Sequence, residues 1–316
     1  GAAGSRRDVT VWAGETTTRL PVSRRKILPD GTVEFAPTRK GIVYDKLPFV
    51  LFKDGAGAPV CLLFSVACHP SMIKGDDRAF QISADYAGAA MAKLDEYLGR
   101  PASLFLQGAG ADAKPSVTAV GEETWRPGTW EDWDAAGEMV SGEVIQALEK
   151  KSARVEPALG AVLVEKEFPL AAPRSREGYA KIAVDPGLFD FGIPEVVRMW
   201  AEEQIRLLER GFGLRNSVPI LIHGIRISGS LRFVGVEAEL AAELGWLIRG
   251  FYGTGLTIPL GYSNGAQAYL PSSKMIREGG YEVESFWEYH QPARFQKGVE
   301  NPLRSGLEFL RNNGIR

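Results

Sequence analysis

Three histidines are all the imidazole chemistry that 316 residues offer, so each can be weighed as a base or a metal ligand. His69 follows the apolar run Val60 to Cys68 and precedes Pro70, at a strand end that opens into a short loop. Such points are where α/β proteins hold reactive groups, because the rigid strand fixes the side chain. His223 lies inside Leu221-Ile222-His223-Gly224, where a hydrogen-bonded sheet histidine is the plainer reading. His290 sits in the polar aromatic loop Glu288-Tyr-His-Gln-Pro, an ordinary surface position. Glu237 stands where Arg232-Phe-Val-Gly-Val236 ends and a helix is expected to begin. The helix macrodipole favours a carboxylate there by about 0.3–1 kcal/mol, which explains the residue without catalysis. Glu239 and Glu243 follow as surface carboxylates, so position alone does not select Glu237.

Gln107-Gly-Ala-Gly-Ala-Asp-Ala-Lys114-Pro115 is a glycine-rich turn after a strand, superficially a phosphate cradle. The dinucleotide pattern G-x-G-x-x-G fails at Ala113, and no Gly-Lys-Ser/Thr follows. Pro115 also argues against a helix starting in time to hold a phosphate, which rejects nucleotide binding.

The elements that must position these residues alternate between strand and helix. Pro48 to Phe52 and Val60 to Ala67 read as neighbouring strands joined through Asp54-Gly-Ala-Gly. Ser83 is the expected N-cap of a helix running to Leu98 and ended by Gly99. Ser103 to Leu106 is a short strand. Trp133, Ala136, Val140, Val144 and Leu148 recur at three- and four-residue spacing and predict an amphipathic helix. A strand is expected near Ala161 to Glu165. A second helix starts near Ile193-Pro194, with Val197, Trp200, Ile205 and Leu208 on one side. Pro219 to Ile227 and Leu231 to Val236 predict a hairpin through Ser228-Gly-Ser230, followed by a helix from Ala238 to Phe251 and a strand from Leu256 to Leu260. No linker-like stretch divides the chain, so residues 1–316 read as one α/β domain with mixed sheets flanked by helices.

Bulk properties exclude several partners. Hydrophobic residues make up 45% and charged residues 24%, and 37 basic against 39 acidic residues leave a net charge of -2. That balance gives no footprint for nucleic acid. The longest mostly apolar stretch, Val60 to Cys68, is less than half the ~20 residues a membrane span needs. Cys61 and Cys68 share one apolar run at odd separation, so they point to opposite faces and do not pair. Gly1 to Arg7 resembles the frayed end of a helix before a strand at Val9 to Trp12. It lacks the apolar core of a signal peptide, and is expected to follow a further segment upstream.

Several blocks, in order, resemble the neutral (non-lysosomal) ceramidase family: Val22-Ser-Arg-Arg25, Ala67-Cys-His-Pro70, Ile82-Ser-Ala-Asp-Tyr-Ala-Gly88, Leu104 to Pro115, Gly261-Tyr-Ser-Asn-Gly-Ala-Gln-Ala-Tyr269 and Glu278-Gly-Gly-Tyr-Glu282. Together they span most of residues 20 to 285. The resemblance implies a catalytic domain of that type lacking its first segment and its C-terminal β-domain, and export to the periplasm or beyond the cell. It implies a zinc-dependent amide hydrolase in which metal-activated water attacks an N-acyl, including lipid, amide. His69, Glu237 and Tyr269 map onto zinc ligands, with Gly-Val-Glu standing for the family's Pro-Gly-Glu. Tyr281 maps onto the tyrosine at the carbonyl oxygen, and Arg24 onto an arginine that meets substrate or product. Lys114 takes the place of the family's serine and cannot act as that nucleophile; it can steer an anion or stabilise charge. The family's first zinc histidine lies in a His-Thr-His-Ser-like block, and no histidine precedes Arg24 here. An upstream segment is expected to supply it. Self-association is left open. The alternative is a non-catalytic ligand- or glycan-binding protein that keeps the fold, and a third reading is an ester or lactone hydrolase.

Overall fold

The computed structural model describes residues 4, 6–72, 80–189 and 192–316. Two sheets lie face to face, each with helices on its outer side. In the first, Thr10–Thr17, Lys46–Lys53 and Pro59–Val66 run antiparallel in turn, with Ala153–Val155 on one edge. Ser103–Gln107 lies parallel to Pro59–Val66 on the other edge. In the second, Pro157–Pro169, Ser217–Ser228 and Leu231–Val236 are antiparallel, and Leu256–Leu260 runs parallel to the last of these.

Strand alternation sorts the side chains between layers. Val11, Ala13 and Val50 from the first sheet meet Leu231, Phe233 and Ile258 from the second, forming the inter-sheet core. Phe49, Leu51, Leu62 and Phe64 face outward onto the helices Asp85–Leu98 and Trp130–Lys151. The second of these opens with a capping box, Thr129 accepting from the Asp132 N–H while Asp132 accepts from the Thr129 N–H. Its expected stripe is buried at Ala136, Val140 and Val144. Burying each valine contributes about 1.5–3 kcal/mol. Helices Ala242–Tyr252 and Glu300–Asn312 cover the second sheet around Ile222, Val234 and Leu307. The layers are helix, sheet, sheet, helix, the mixed α/β architecture expected from the sequence.

Several boundaries differ from expectation, for local reasons. The first long helix starts at Asp85 with Ala84 as its N-cap; Ser83 Oγ accepts from the Asp85 N–H instead. Gly99, in the left-handed region, closes it as expected. Helix Arg176–Val184 was not expected, since its nine residues bury only Tyr179 and Ile182. It pairs with Pro194–Glu209 around Trp200 and Trp287. The helix expected from Ala238 begins only at Ala242, because Glu239–Leu240 form a short parallel pairing with Tyr269–Leu270. Cys68 lies past its strand and is fully buried, Cys61 is half-buried, and both are free thiols. Residues 1–3 and 5, and most of the charged loop after Met72, lie outside the described residues.

Candidate functional site

The carboxyl ends of four strands converge, and loops from them are stitched together by backbone hydrogen bonds. Gly108 N–H donates to Val66 O, Gly261 N–H to Gln107 O, and Ala111 N–H to Leu240 O. The segment bearing His69 is pinned from both sides by the Ile82-to-Gly88 block. Tyr86 Oη donates to Cys68 O at 2.6 Å, and Asp85 Oδ2 accepts from the Met72 N–H at 2.8 Å. Gly110 explains the glycine-rich turn: a Cβ there would lie 2.2 Å from the Ala67 carbonyl carbon and 2.3 Å from the Cys68 nitrogen. The loop hugs the backbone leading into His69, whose own N–H donates to Ala113 O.

Arg24 and Arg25 are consecutive yet both buried, which a register shift between Ser23 and Arg25 permits. Arg24 Nη2 donates to Tyr269 Oη at 2.7 Å and its Nε to Glu282 Oε1 at 2.9 Å. Arg25 donates to the other Glu282 oxygen and to Gly279 O. The Arg24 guanidinium also lies 4.9 Å from the Phe35 ring and 5.2 Å from the Tyr281 ring. Two glycines at positive φ, Gly279 and Gly280, turn the chain so that Tyr281 and Glu282 enter the pocket side by side. Tyr281 Oη donates to Glu288 at 3.2 Å, and its ring packs edge-on against Tyr269.

His69 Nδ1 stands 3.4 Å from Tyr262 Oη. Tyr289 donates to the Glu239 carboxylate, whose charge also acts on the Tyr262 phenol. Burial, reinforced by Glu239, pushes the Tyr262 and Tyr289 phenols up; burial does the same to Tyr269 and Tyr281. These four hydroxyls therefore stay protonated donors at neutral pH. Burial and the Arg24 and Arg25 partners act oppositely on Glu282, and the arginines hold its carboxyl below the usual range.

His69, Tyr269, Tyr281 and Arg24 thus come together, whereas Glu237 is engaged elsewhere. Its carboxylate accepts from the Leu221 N–H and from Gln267 Nε2, each at 3.2 Å. Glu239, directly opposite Tyr269 in the parallel pairing and hydrogen-bonded by Tyr289, is a further carboxylate that meets the pocket. A continuous helix from Ala238, as expected from the sequence, puts Glu239 on a helix surface and hides it. Tyr262 and Tyr289 also carried no expectation of their own. Lys114 is buried in the strand Ala113–Pro115, its Nζ 5.4 Å from the Trp125 ring and 5.9 Å from the Phe35 ring. His223 Nδ1 meets Asn264 at 3.3 Å, and burial lowers its pKa. His290 lines a groove of about 1220 Å3 with Val196, Met199, Phe212 and Trp287, and Glu288 belongs to both groove and pocket.

Among the described residues, no three His, Cys, Asp or Glu side chains gather as a metal-holding group. Catalytic zinc uses three protein ligands. His69 and Glu239 are two of suitable type, while the Tyr269 hydroxyl already donates to Ala111 O and accepts from Arg24. The donor types suit zinc, and among the described residues the set is incomplete. No helix among the described residues is long and apolar enough to cross a membrane.

No protein-family model matches the chain, and no curated protein matches its sequence. Solved structures do. The chain is similar to the crystal structure of neutral ceramidase from Pseudomonas aeruginosa, with a TM-score of 0.61 at 14% identity, covering 98% of this chain and 52% of that one. It is also similar to a structure described as ceramidase complexed with C2, with a TM-score of 0.62 at 12% identity, covering 98% and 53%. The chain spans about half the length of each. At this identity the likeness speaks for architecture alone, and what it shows is that the chain has a neutral-ceramidase-like fold.

Proposed function

We propose that the pocket hydrolyses the amide bond of an N-acyl compound, within the single domain 1–316. The observation that carries this reading is the gathering of the His69–Tyr262 and Glu239–Tyr289 pairs beside the phenols of Tyr269 and Tyr281 and the buried Arg24. Attack on an amide needs a group that takes a proton from water and donors for the oxyanion that forms. His69 and Glu239 serve the first need. Tyr281, half-buried and held as a phenol, serves the second, with Arg24 adding positive charge behind it. Zinc, when bound, would supply a water acidic enough to attack near pH 7. His69 and Glu239 are this chain's donors for it, with Tyr269 alongside and a histidine from outside the described residues completing the set.

The groove running from Glu288 past Met199 and Phe212 suits an acyl chain, which makes a lipid amide the favoured substrate. The similar structures are ceramidases, so a ceramide-type amide is the first substrate class to try here. Lys114 favours a second reading, that of a ligand- or glycan-binding protein without catalysis. It stands between two aromatic rings where the resemblance puts a serine. Amine release from a panel of N-acyl lipids and N-acyl amino acids, with zinc added, decides between them. The hydrolase reading expects turnover, lowered at least about 100-fold by Glu239→Gln. A chain that binds these compounds with no turnover and no metal supports the second reading.

A further inference from the structure

Strands Pro157–Pro169 and Ser217–Ser228 are neighbours in the second sheet, and they still face each other where the chain leaves it. Pro169 stands opposite Ser217, and the Leu170 N–H donates to Asn216 O at 2.7 Å. Two residues suffice to join antiparallel strands at such a point. Here residues 171–215 are inserted instead, among them the helices Arg176–Val184 and Pro194–Glu209. The helix pair has its own apolar centre around Tyr179, Ile182, Val197 and Trp200, distinct from the cores that line the sheets. It is fastened to the segment that carries Glu288 and Tyr289. Tyr179 Oη donates to Pro292 O at 2.8 Å, and Trp200 Nε1 donates to Gln291 O at 3.0 Å.

The groove of about 1220 Å3 runs between this insertion and that segment. The insertion lines it with Val196, Met199 and Phe212, and the segment with Trp287 and Glu288. Glu288 accepts from Tyr281 at 3.2 Å, so the groove ends at the pocket. Met199 and Phe212 are 65% and 59% exposed, whereas Trp200, next along the helix, is 3% exposed. Large apolar side chains left open along a groove mark a surface that receives an apolar ligand.

From this arrangement we infer that the inserted helix pair is the chain-selecting element of the protein, with Met199 and Phe212 as the side chains that grip the acyl tail. The inference rests on the proposed function for its ligand, an N-acyl compound whose tail enters the groove. A methylene taken wholly out of water strengthens binding roughly fourfold, so tail length is read wherever the tail lies against these side chains. The pocket does not depend on the insertion for its own ties. Tyr289 donates to Glu239, and Gln291 Nε2 donates to Gln267 O at 3.1 Å, all four outside residues 171–215.

The test compares N-dodecanoyl and N-hexanoyl ethanolamine as ligands, each titrated by calorimetry below the concentration at which it aggregates. The parent protein is expected to bind the dodecanoyl compound at least about tenfold more tightly. The double variant Met199→Gln, Phe212→Gln alters two exposed positions and makes the groove wall polar, and its preference is expected to fall to about twofold or less. Val184→Gln, exposed on the same insertion but outside the groove, is expected to leave the preference as it is. A further variant replaces residues 171–215 by an Asn-Gly turn, and is expected to fold and to lose the preference. Equal affinity for the two compounds in the parent overturns the inference, as does an unchanged preference in the double variant. A turn-replaced protein that keeps the preference overturns it too, and one that does not fold overturns the separateness of the insertion while the double variant still decides the selection. Should the preference behave as expected while the parent cleaves neither compound, the chain-selecting role stands and the proposed function falls.

Discussion

Replacing Glu282 by glutamine tests the electrostatic frame of the pocket. Glu282 is 2% exposed and lies between Arg24 and Arg25, which are 5% and 7% exposed. Each guanidinium donates to a different carboxylate oxygen. The glutamine amide would keep one acceptor, lose the negative charge and turn an N–H donor toward a cation. Hydrogen bonds to charged groups are each worth about 1.5–3 kcal/mol, so two amount to roughly 3–6. Breaking a buried ion pair from one side typically costs about 3–5 kcal/mol, in line with that range. Urea denaturation followed by tryptophan fluorescence at pH 7 should show Glu282→Gln destabilised by about that amount. The neighbour Glu278, its side chain 19% exposed, meets Arg25 at 3.3 Å, and Glu278→Gln should cost under about 1 kcal/mol. The pH dependence has a definite sign. The folded pKa of Glu282 is lowered from 4.5, so its contribution is present above that value and is lost as pH falls through the lower folded value. The gap between the parent protein and Glu282→Gln should therefore close in acid. A gap below about 1 kcal/mol at pH 7, or one that widens in acid, would refute the reasoning.

The other expectations are independent of this one. Burial pushes the Asp112 carboxyl up to about 6, against its bond from the Ala242 N–H. A raised carboxyl favours the fold when protonated, so the stability of the parent protein relative to Asp112→Asn should fall by the order of 1–3 kcal/mol as pH rises from 4 to 6, measured by denaturant titration. Gly110→Ala should fail to give soluble folded protein, because its Cβ would meet the Ala67–Cys68 backbone rather than a movable side chain; a normal melting temperature contradicts that. Tyr86→Phe leaves the buried Cys68 carbonyl without its donor and should cost about 1–3 kcal/mol in the same denaturation assay. Burial raises both thiols, Cys68 most, so a thiol-titrating aromatic disulfide should leave Cys68 unreacted in the native state and count two thiols after unfolding.

The layers and most of their strands were legible because alternation and periodicity report burial. Leu231–Val236 and Leu256–Leu260 fall where the apolar runs end, and the Trp133-to-Val144 stripe meets the first sheet. Residues that the structure brings into the pocket were legible where a local pattern marks them: a histidine after a strand, or a tyrosine after a glycine pair. Glu239 was not, because its place beside Tyr269 comes from a two-residue parallel pairing thirty positions along the chain. Glu237 and Glu239 look alike in sequence, and only tertiary contacts separate the one held by Leu221 and Gln267 from the one held by Tyr289. Tyr262 was hidden for the same reason, since only the folded chain brings its hydroxyl to His69. Helix Arg176–Val184 escaped notice because a nine-residue helix with two buried side chains leaves almost no periodic signal.

The central claim is that the working carboxylate of an amide-cleaving pocket is Glu239, and paired substitutions test it most directly. Hydrolysis of N-acyl lipids would be compared in Glu239→Gln and Glu237→Gln, prepared in the same full-length protein with zinc present and metal content measured alongside. The account predicts that Glu239→Gln lowers kcat/KM at least about 100-fold while Glu237→Gln stays within a few-fold of the parent. Loss of activity on Glu237→Gln with Glu239→Gln unaffected would contradict it.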